Sequence, residues 1–199
     1  MTTPDDVLAF WLGAPATDHD TFMKKIRRWF GVDKALDAEI RTRFGDALTQ
    51  ARDGAFDDWI KTPRGRLALV ILFDQFTRNL HRGTARAFEN DARGLALAEA
   101  GLDAHEDEGL SFEEKMFLYM PLAHSEDVSR QERHLALVEA AANAAPRGLE
   151  KAYGSATEHA RGYLEQIRRF GRFPHRNMIL GRTCTQEEMA FLDSPSTSS

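Results

Sequence analysis

The chain predicts an all-α fold, and three observations carry that prediction. No segment alternates apolar and polar residues with period two. β-Branched residues are sparse. Apolar residues instead recur three and four positions apart, between short stretches that read as helix caps. Tandem helices joined by short loops imply a stack or bundle of antiparallel helix pairs. No clean fixed-period repeat is found.

In chain order, Thr3-Pro4-Asp5-Asp6 starts a helix, with a hydroxyl to cap it, proline at its first position and acids in its first turn. Val7, Phe10 and Trp11 form its buried face, and Gly13 ends it. A second short helix runs from Asp18 to Phe30, with Phe22, Ile26, Trp29 and Phe30 on one side and Lys24, Lys25, Arg27 and Arg28 on the other. Asp33 caps a longer helix that carries Leu36, Ile40, Phe44 and Leu48, and Gly54 stops it. Asp57 to Ile60 forms one turn around Trp59. Thr62-Pro63 opens a central helix reaching Leu80, broken by Gly83. Helical spacing resumes from Ala85 to Ala100, and residues 101–110 form an acidic, solvated connection.

Ser111-Phe112-Glu113-Glu114 is a capping box. Its helix carries Met116, Phe117, Tyr119 and Met120 and is expected to break near Pro121. Ser125 or Asp127 caps the next helix, which Pro146 stops. A long helix spans Gly148 to Arg169, followed by a rigid polar turn from Phe170 to Asn177. A second capping box, Thr185-Gln186-Glu187-Glu188, opens a last short helix. The expected organisation is one domain over residues 1–193 with a disordered tail, 194–199.

With 42% hydrophobic and 29% charged residues the chain falls among globular proteins. A formal net charge of −5 argues against a nucleic-acid partner, which needs a basic footprint. Cys184 is the single cysteine, so an intramolecular disulfide and a cysteine-built zinc site are both excluded. Asp5 and Asp6 stand where a signal peptide carries positive charge, and the apolar run Leu67–Phe73 is far too short to span a membrane. These features predict a cytoplasmic protein with no membrane partner.

Three stretches set polar groups against aromatic sequence. The first lies on the central helix, where Asp74, Gln75, Arg78, Asn79 and Arg82 fall within an arc of roughly 140° at helical spacing. One reading is a structural lock, with Asp74 pairing Arg78 at i, i+4. The other is that Arg78 and Arg82 hold an anionic or carbonyl-bearing ligand. The second stretch contains His124 and Glu126, an acid–base combination that also fits simple capping of the next helix. The third is Arg172-Phe173-Pro174-His175-Arg176-Asn177, in which Arg, Asn and His form a donor set suited to phosphate or carboxylate, or else a C-terminal cap. A metal site from His124, Glu126 and His175 finds no support in spacing, and neither Ser125 nor Cys184 sits in a nucleophile elbow. No metal is expected, and no cofactor is indicated.

Val7-Leu8-Ala9-Phe10-Trp11, Asp74-Gln75-Phe76-Thr77-Arg78-Asn79, Tyr119-Met120-Pro121-Leu122-Ala123-His124-Ser125-Glu126-Asp127 and Arg172-Phe173-Pro174-His175-Arg176-Asn177 together resemble a bacterial family known as a domain of unknown function. The resemblance covers nearly the whole chain and implies a tetratricopeptide-like (TPR-like) stack of helices. It carries no catalytic assignment. Thr77 stands where the family pattern has proline, so no fixed kink is expected in the central helix. Cys184 stands where it has serine, which argues against thiol chemistry.

The expectation is that the three clusters line one pocket for a small anionic or polar ligand. Arg78, Arg82 and Arg176 would supply positive charge, and Gln75, Asn79 and Asn177 would orient the ligand. His124 or His175 would transfer protons, with Asp74 holding Arg78. The competing expectation is a module that binds a protein or peptide, in which the clusters are purely structural.

Overall fold

Thr3 accepts from the Asp6 backbone N–H at 3.2 Å while the Asp6 carboxylate accepts from Thr3 N–H at 2.8 Å, and this reciprocal cap starts α1, Pro4–Trp11. The computed structural model describes residues 1–194, and its regular structure is all α-helical apart from short 3₁₀ and π turns, with no strand among the described residues. Asp18 caps α2, His19–Phe30, and Asp33 caps α3, Lys34–Arg52. Gly54, at φ +85°, turns the chain out of α3 through a left-handed conformation that costs glycine little. A 3₁₀ turn, Asp57–Lys61, then packs so closely on the next helix start that a Cβ at Gly65 would lie 2.2 Å from the Trp59 carbonyl oxygen.

The central helix has three parts: α4, Pro63–Val70; a π-helical stretch, Ile71–Phe76; and α5, Thr77–Leu80. The wide turn was not foreseen, and it occurs without a proline at position 77. The Thr77 side chain fills the place of the missing regular bond by donating to the Leu72 carbonyl at 3.3 Å. The helix ends at Leu80, so Arg82 stands beyond it.

After the central helix come α6, Asp91–Asp103; α7, Phe112–Ala123; α8, Val128–Asn143; α9, Glu150–Phe170; and α10, Gln186–Leu192. Three expectations need correction. The stretch from Ala85 is not one helix: a 3₁₀ turn, Ala85–Phe88, precedes α6. The acidic segment is a connection only from Ala104, and it is tied down as well as solvated, because Glu106 pairs with Arg66 at 2.7 Å and Asp107 accepts from the Tyr119 hydroxyl at 2.6 Å. Pro121 does not interrupt α7, which runs on to Ala123. Proline removes one N–H only a turn from the helix end, and the carbonyls released there face the buried Gln131 amide, which lies 3.2 Å from Leu122, 2.8 Å from Ala123 and 2.7 Å from Ser125. Residues 195–199 of the expected tail lie outside the described residues.

The apolar faces merge into a single cluster of buried side chains running from Val7 to Tyr153. Phe76 sits inside it, with ring centroids 5.4 Å from Trp11 and 5.0 Å from Phe44, while Phe117 lies 5.6 Å from Trp11 and 4.9 Å from Trp29. Such tilted and edge-to-face pairs each add about 0.5–1.5 kcal/mol beyond area burial. The helix that carries Asp74 is therefore held by aromatic packing on α1 and α3, and Trp11 links it through Phe117 to α7. Phe30, expected to face inward, is about half exposed.

Candidate functional site

Asp74 is held inside the protein by three neighbours. Its Oδ1 lies 2.7 Å from His124 Nδ1 and accepts from Arg78 Nη2 at 3.3 Å, and its Oδ2 accepts from Gln75 Nε2 at 2.6 Å. Burial alone would push this carboxyl up, but His124, Arg78 and Gln75 outweigh it and hold the group well below the ordinary carboxylate range. An ionised carboxylate only accepts, so the 2.7 Å contact places a proton on His124 Nδ1, and in the uncharged ring Nε2 then carries the lone pair. Burial pushes the imidazolium pKa down, and Arg78 adds to that against the pull of Asp74. Burial and Arg78 thus favour the uncharged imidazole, the ring is oriented by a buried acid, and among the described residues Nε2 makes no hydrogen bond.

The backbone around His124 is equally constrained. Its carbonyl accepts from Arg176 Nη1 at 2.9 Å. The Arg176 guanidinium lies between the Phe88 and Phe173 rings, at 5.0 and 4.6 Å from their centroids. Glu126 Oε1 accepts from the Phe173 N–H at 3.0 Å and from Arg182 Nη1 at 2.8 Å, tying the turn after α9 to the end of α7. Asp91, at the first position of α6, accepts from Arg78 Nη2 at 2.8 Å. One guanidinium therefore bridges two carboxylates with opposite fates. Burial pushes the Asp91 carboxyl up, with Arg78 opposing and Asp74 adding to the rise.

These groups line a cavity of about 350 Å³. Its polar side presents Asp91, His124, Ser125, Glu126, Arg176 and Arg182, with Asp74 behind. Its apolar side is made by Phe88, Ala92, Leu95, Pro121 and Leu180. A larger depression of about 470 Å³ lies between α8 and α9 around Glu139, Asn143 and Arg161, with most of its polar lining exposed. Thr157 is the one buried polar residue in its lining, whereas several converge on the smaller cavity. Among the described residues no group of three or more His, Cys, Asp or Glu side chains is placed to hold a metal ion.

Of the residues singled out in the sequence, Asp74, Gln75, Arg78, His124, Glu126 and Arg176 come together. The others do not join them. Asn79 and Arg82 both bind Asp37 of α3, at 2.8 Å and at 3.0 and 3.1 Å. The π turn and the helix end at Leu80 break the single arc that regular spacing implies. Arg172 makes a bidentate pair with Glu188, at 2.6 and 2.8 Å, which fastens α10. Asn177 is fully buried and donates to the Cys184 sulfur at 3.4 Å. His175 packs its ring 5.5 Å from Phe173 and is exposed, away from the cavity lining.

The model of the family described as bacterial protein of unknown function (DUF924) matches residues 7–196. The chain belongs to this family. A solved protein of unknown function, ATU0120 from Agrobacterium tumefaciens, is 32% identical over 96% of each chain, with a TM-score of 0.79. None of the curated proteins is significantly similar. In this family member, three of the four stretches that carried the resemblance meet at the cavity, through Asp74 and Arg78, through Pro121, His124 and Glu126, and through Arg176.

Sequence reasoning missed Asp91, Arg182 and Asp37. Asp91 was hidden because a helix running on from Ala85 buries the signal of a helix start at Asn90-Asp91. Asp37 looked like an ordinary first-turn acid. Arg182 follows Gly181, whose φ of +66° reverses the chain toward Glu126, and no spacing rule announces that reversal.

Proposed function

We propose that this protein binds a small polar molecule in the cavity between α6, α7 and the turn after α9, with His124 as the group that takes up a proton from it. The observation that carries this reading is an imidazole at the cavity wall whose Nδ1 is anchored on a buried carboxylate while Nε2, among the described residues, has no hydrogen-bond partner. That arrangement sets the tautomer, fixes the ring and makes Nε2 a proton acceptor for a hydroxyl, an amine or a water. Its depressed pKa keeps the lone pair available at neutral pH.

The anionic half of the sequence expectation rests on Arg176 alone, a cavity-lining arginine whose buried Nε has no hydrogen-bond partner among the described residues. Arg78 serves Asp74 and Asp91, Arg182 serves Glu126, and Arg82 serves Asp37. A peptide-docking role is also less well supported, since Phe30 is the one Phe, Tyr or Trp side chain among the described residues that is exposed. No helix among the described residues is long and apolar enough to cross a membrane. With the single Cys184, the cytoplasm is the proposed compartment.

The test is a thermal-shift screen with small polar compounds on wild type and on Ala92→Trp, which plugs the cavity from an exposed position on α6. A compound at about 100 times its dissociation constant stabilises by about 2.7 kcal/mol. The reading predicts compounds whose shift disappears in the plugged variant and which move the His124 ring resonances. Shifts that survive plugging, or a screen in which no compound acts through the cavity, contradict it.

A further inference from the structure

The open polar groups at the cavity are of both kinds, donors and acceptors, and they stand side by side. Asp74, Asp91 and Glu126 bring three carboxylates to its wall. Arg176 and Arg182 bring two guanidiniums, and Arg78, bonded to both Asp74 and Asp91, is the third. With an uncharged His124 these formal charges cancel. Among the described residues the acceptors that receive no hydrogen bond are Asp91 Oδ2, Glu126 Oε2 and His124 Nε2. The guanidiniums of Arg176 and Arg182 each use Nη1 and keep other N–H groups unused, and the Ser125 hydroxyl can serve either way.

Arg176 is the group that decides. Its Nη1 donates to the His124 carbonyl at 2.9 Å, its buried Nε has no partner, and Nη2 makes no hydrogen bond among the described residues. A guanidinium offers Nε–H and a neighbouring Nη–H in one plane, as a fork that matches the two oxygens of a carboxylate. The Phe88 and Phe173 rings cover its two faces, so the in-plane edge is the direction left for an anion. Asp91 Oδ2 lies 4.0 Å from Arg176 Nη1, too far for a hydrogen bond. Two opposite charges therefore sit next to each other at the wall without closing on each other. Burial acts against both, raising the Asp91 carboxyl and pushing the Arg176 guanidinium down to about 10.

A purely cationic head group would leave the Arg176 edge unmet, and a purely anionic one would leave Asp91 and His124 unmet. A head group with both charges on neighbouring atoms answers all three and keeps the balance of the wall. The facing side, from Phe88, Leu95, Pro121 and Leu180, takes an apolar body, and about 350 Å³ is at the small end of ligand cavities. We propose that the ligand is a small apolar α-amino acid in its zwitterionic form, with its carboxylate on the free edge of Arg176, its ammonium between Asp91 Oδ2 and His124 Nε2, and its side chain against Phe88 and Leu95. This assignment rests on the reading of the cavity as a ligand site. It gives Asp91 and Arg176 direct roles in binding and makes the ammonium the donor that meets His124.

Four probes of similar body and different head group test it: L-leucine, 3-methylbutylamine, 4-methylpentanoate and the neutral 4-methylpentanamide. Binding to wild type is measured at pH 7 by calorimetry and by the shift of the His124 ring resonances. Leucine is expected to bind tightest, with each of the other three at least tenfold weaker. Asp91→Asn is expected to lower leucine affinity at least tenfold while leaving 4-methylpentanoate within about threefold. Arg176→Lys is expected to weaken leucine and 4-methylpentanoate at least tenfold while leaving the amine within about threefold. The comparison of probes on wild type needs no variant, so a folding defect in either does not decide the outcome. An amine, carboxylate or amide that binds as well as leucine overturns the proposal, as does the absence of leucine binding at millimolar concentration. If another compound binds wild type but not Ala92→Trp while leucine does not bind, the zwitterion assignment falls and the cavity stands. If leucine binds equally well to Ala92→Trp, the reading of the cavity falls with it.

Discussion

Asp74 and Asp37 each hold an arginine contributed by the central helix or its exit, yet they build different things. Asp37 accepts from Asn79 and twice from Arg82, and nothing in that cluster opens onto a cavity. It ties the end of α5 and the following turn to α3. Asp74 also makes three hydrogen bonds, but to three groups, one of them an imidazole whose far nitrogen has no partner among the described residues. The first cluster is closed on itself, and the second borders the cavity. Arg78 and Asn79 are consecutive in α5 and about 100° apart at helical spacing, so Arg78 reaches Asp74 and Asp91 of α6 while Asn79 faces Asp37 of α3. Neighbouring positions on one helix thus serve a lock on one side and the cavity-side cluster on the other.

The largest effect is expected from Asp74→Ala. Removing the carboxylate leaves Arg78 and His124 without their buried partner, and a loss of about 3–5 kcal/mol in urea unfolding is predicted. The acid limb sharpens this. A carboxyl held low in the folded state stabilises fully above its unfolded value of 3.8 and loses that contribution as pH falls through the folded value. Wild type should therefore lose stability below pH 3.8 by a component that Asp74→Ala lacks. A mild effect at neutral pH would mean that Asp74 is not the anchor described here.

Asp37→Ala is predicted to cost less, about 1–3 kcal/mol, because Asn79 is buried but Arg82 is one-third exposed and can rehydrate. His124 ring resonances should be unchanged in this variant. A shift there would break the separation between lock and site.

His134 of α8 gives a smaller and pH-dependent effect. It is buried, its pKa is pushed down to about 4 by burial and by the proximity of His124, and its Nδ1 has no partner. The unfolded chain binds this proton near 6.5 and the folded one does not until about 4, so stability rises with pH across that window. In His134→Leu the slope of stability against pH between 4 and 6.5 is predicted to fall by up to about 1.4 kcal/mol per pH unit. An unchanged slope contradicts the burial of an uncharged ring.

The smallest effect is expected from Arg168→Ala, whose partner Glu132 lies at 2.6 Å with both side chains half exposed. A change within about 0.5 kcal/mol is predicted from thermal unfolding.

Much of the fold was legible because caps are local chemistry. Thr3, Asp18, Asp33, Thr62, Ser111, Asp127 and Thr185 all accept backbone N–H bonds where the sequence places helix starts. The failures share a cause of the opposite kind. Pro121 was tolerated because it removes a single bond, to the Phe117 carbonyl, close to a helix end whose own carbonyls accept from the Gln131 amide, ten residues on from the proline. The acidic segment was ordered by Arg66 and Tyr119. The π turn depends on packing of Phe73 and Phe76 into the core as much as on Thr77. In the site, Asp74, Arg78 and His124 stood out as polar groups inside apolar runs, which is a property of the sequence. Their separation from Asn79, Arg82, Arg172 and His175 depends on which distant acid each cation meets, and Asp37, Asp91 and Glu188 lie 16 to 45 residues away from the arginines outside the site or 13 from Arg78.

The claim on which the rest depends is that His124 is an uncharged imidazole with its proton on Nδ1 and its Nε2 free. Long-range ¹H–¹⁵N correlation of the histidine rings from pH 5 to 8, with His124 assigned by its loss in His124→Gln, measures this directly. The account predicts an Nδ1–H tautomer that titrates below 6.5, with an Nε2 shift characteristic of an unprotonated nitrogen. An Nε2–H tautomer, or a ring still protonated above pH 6.5, would contradict it.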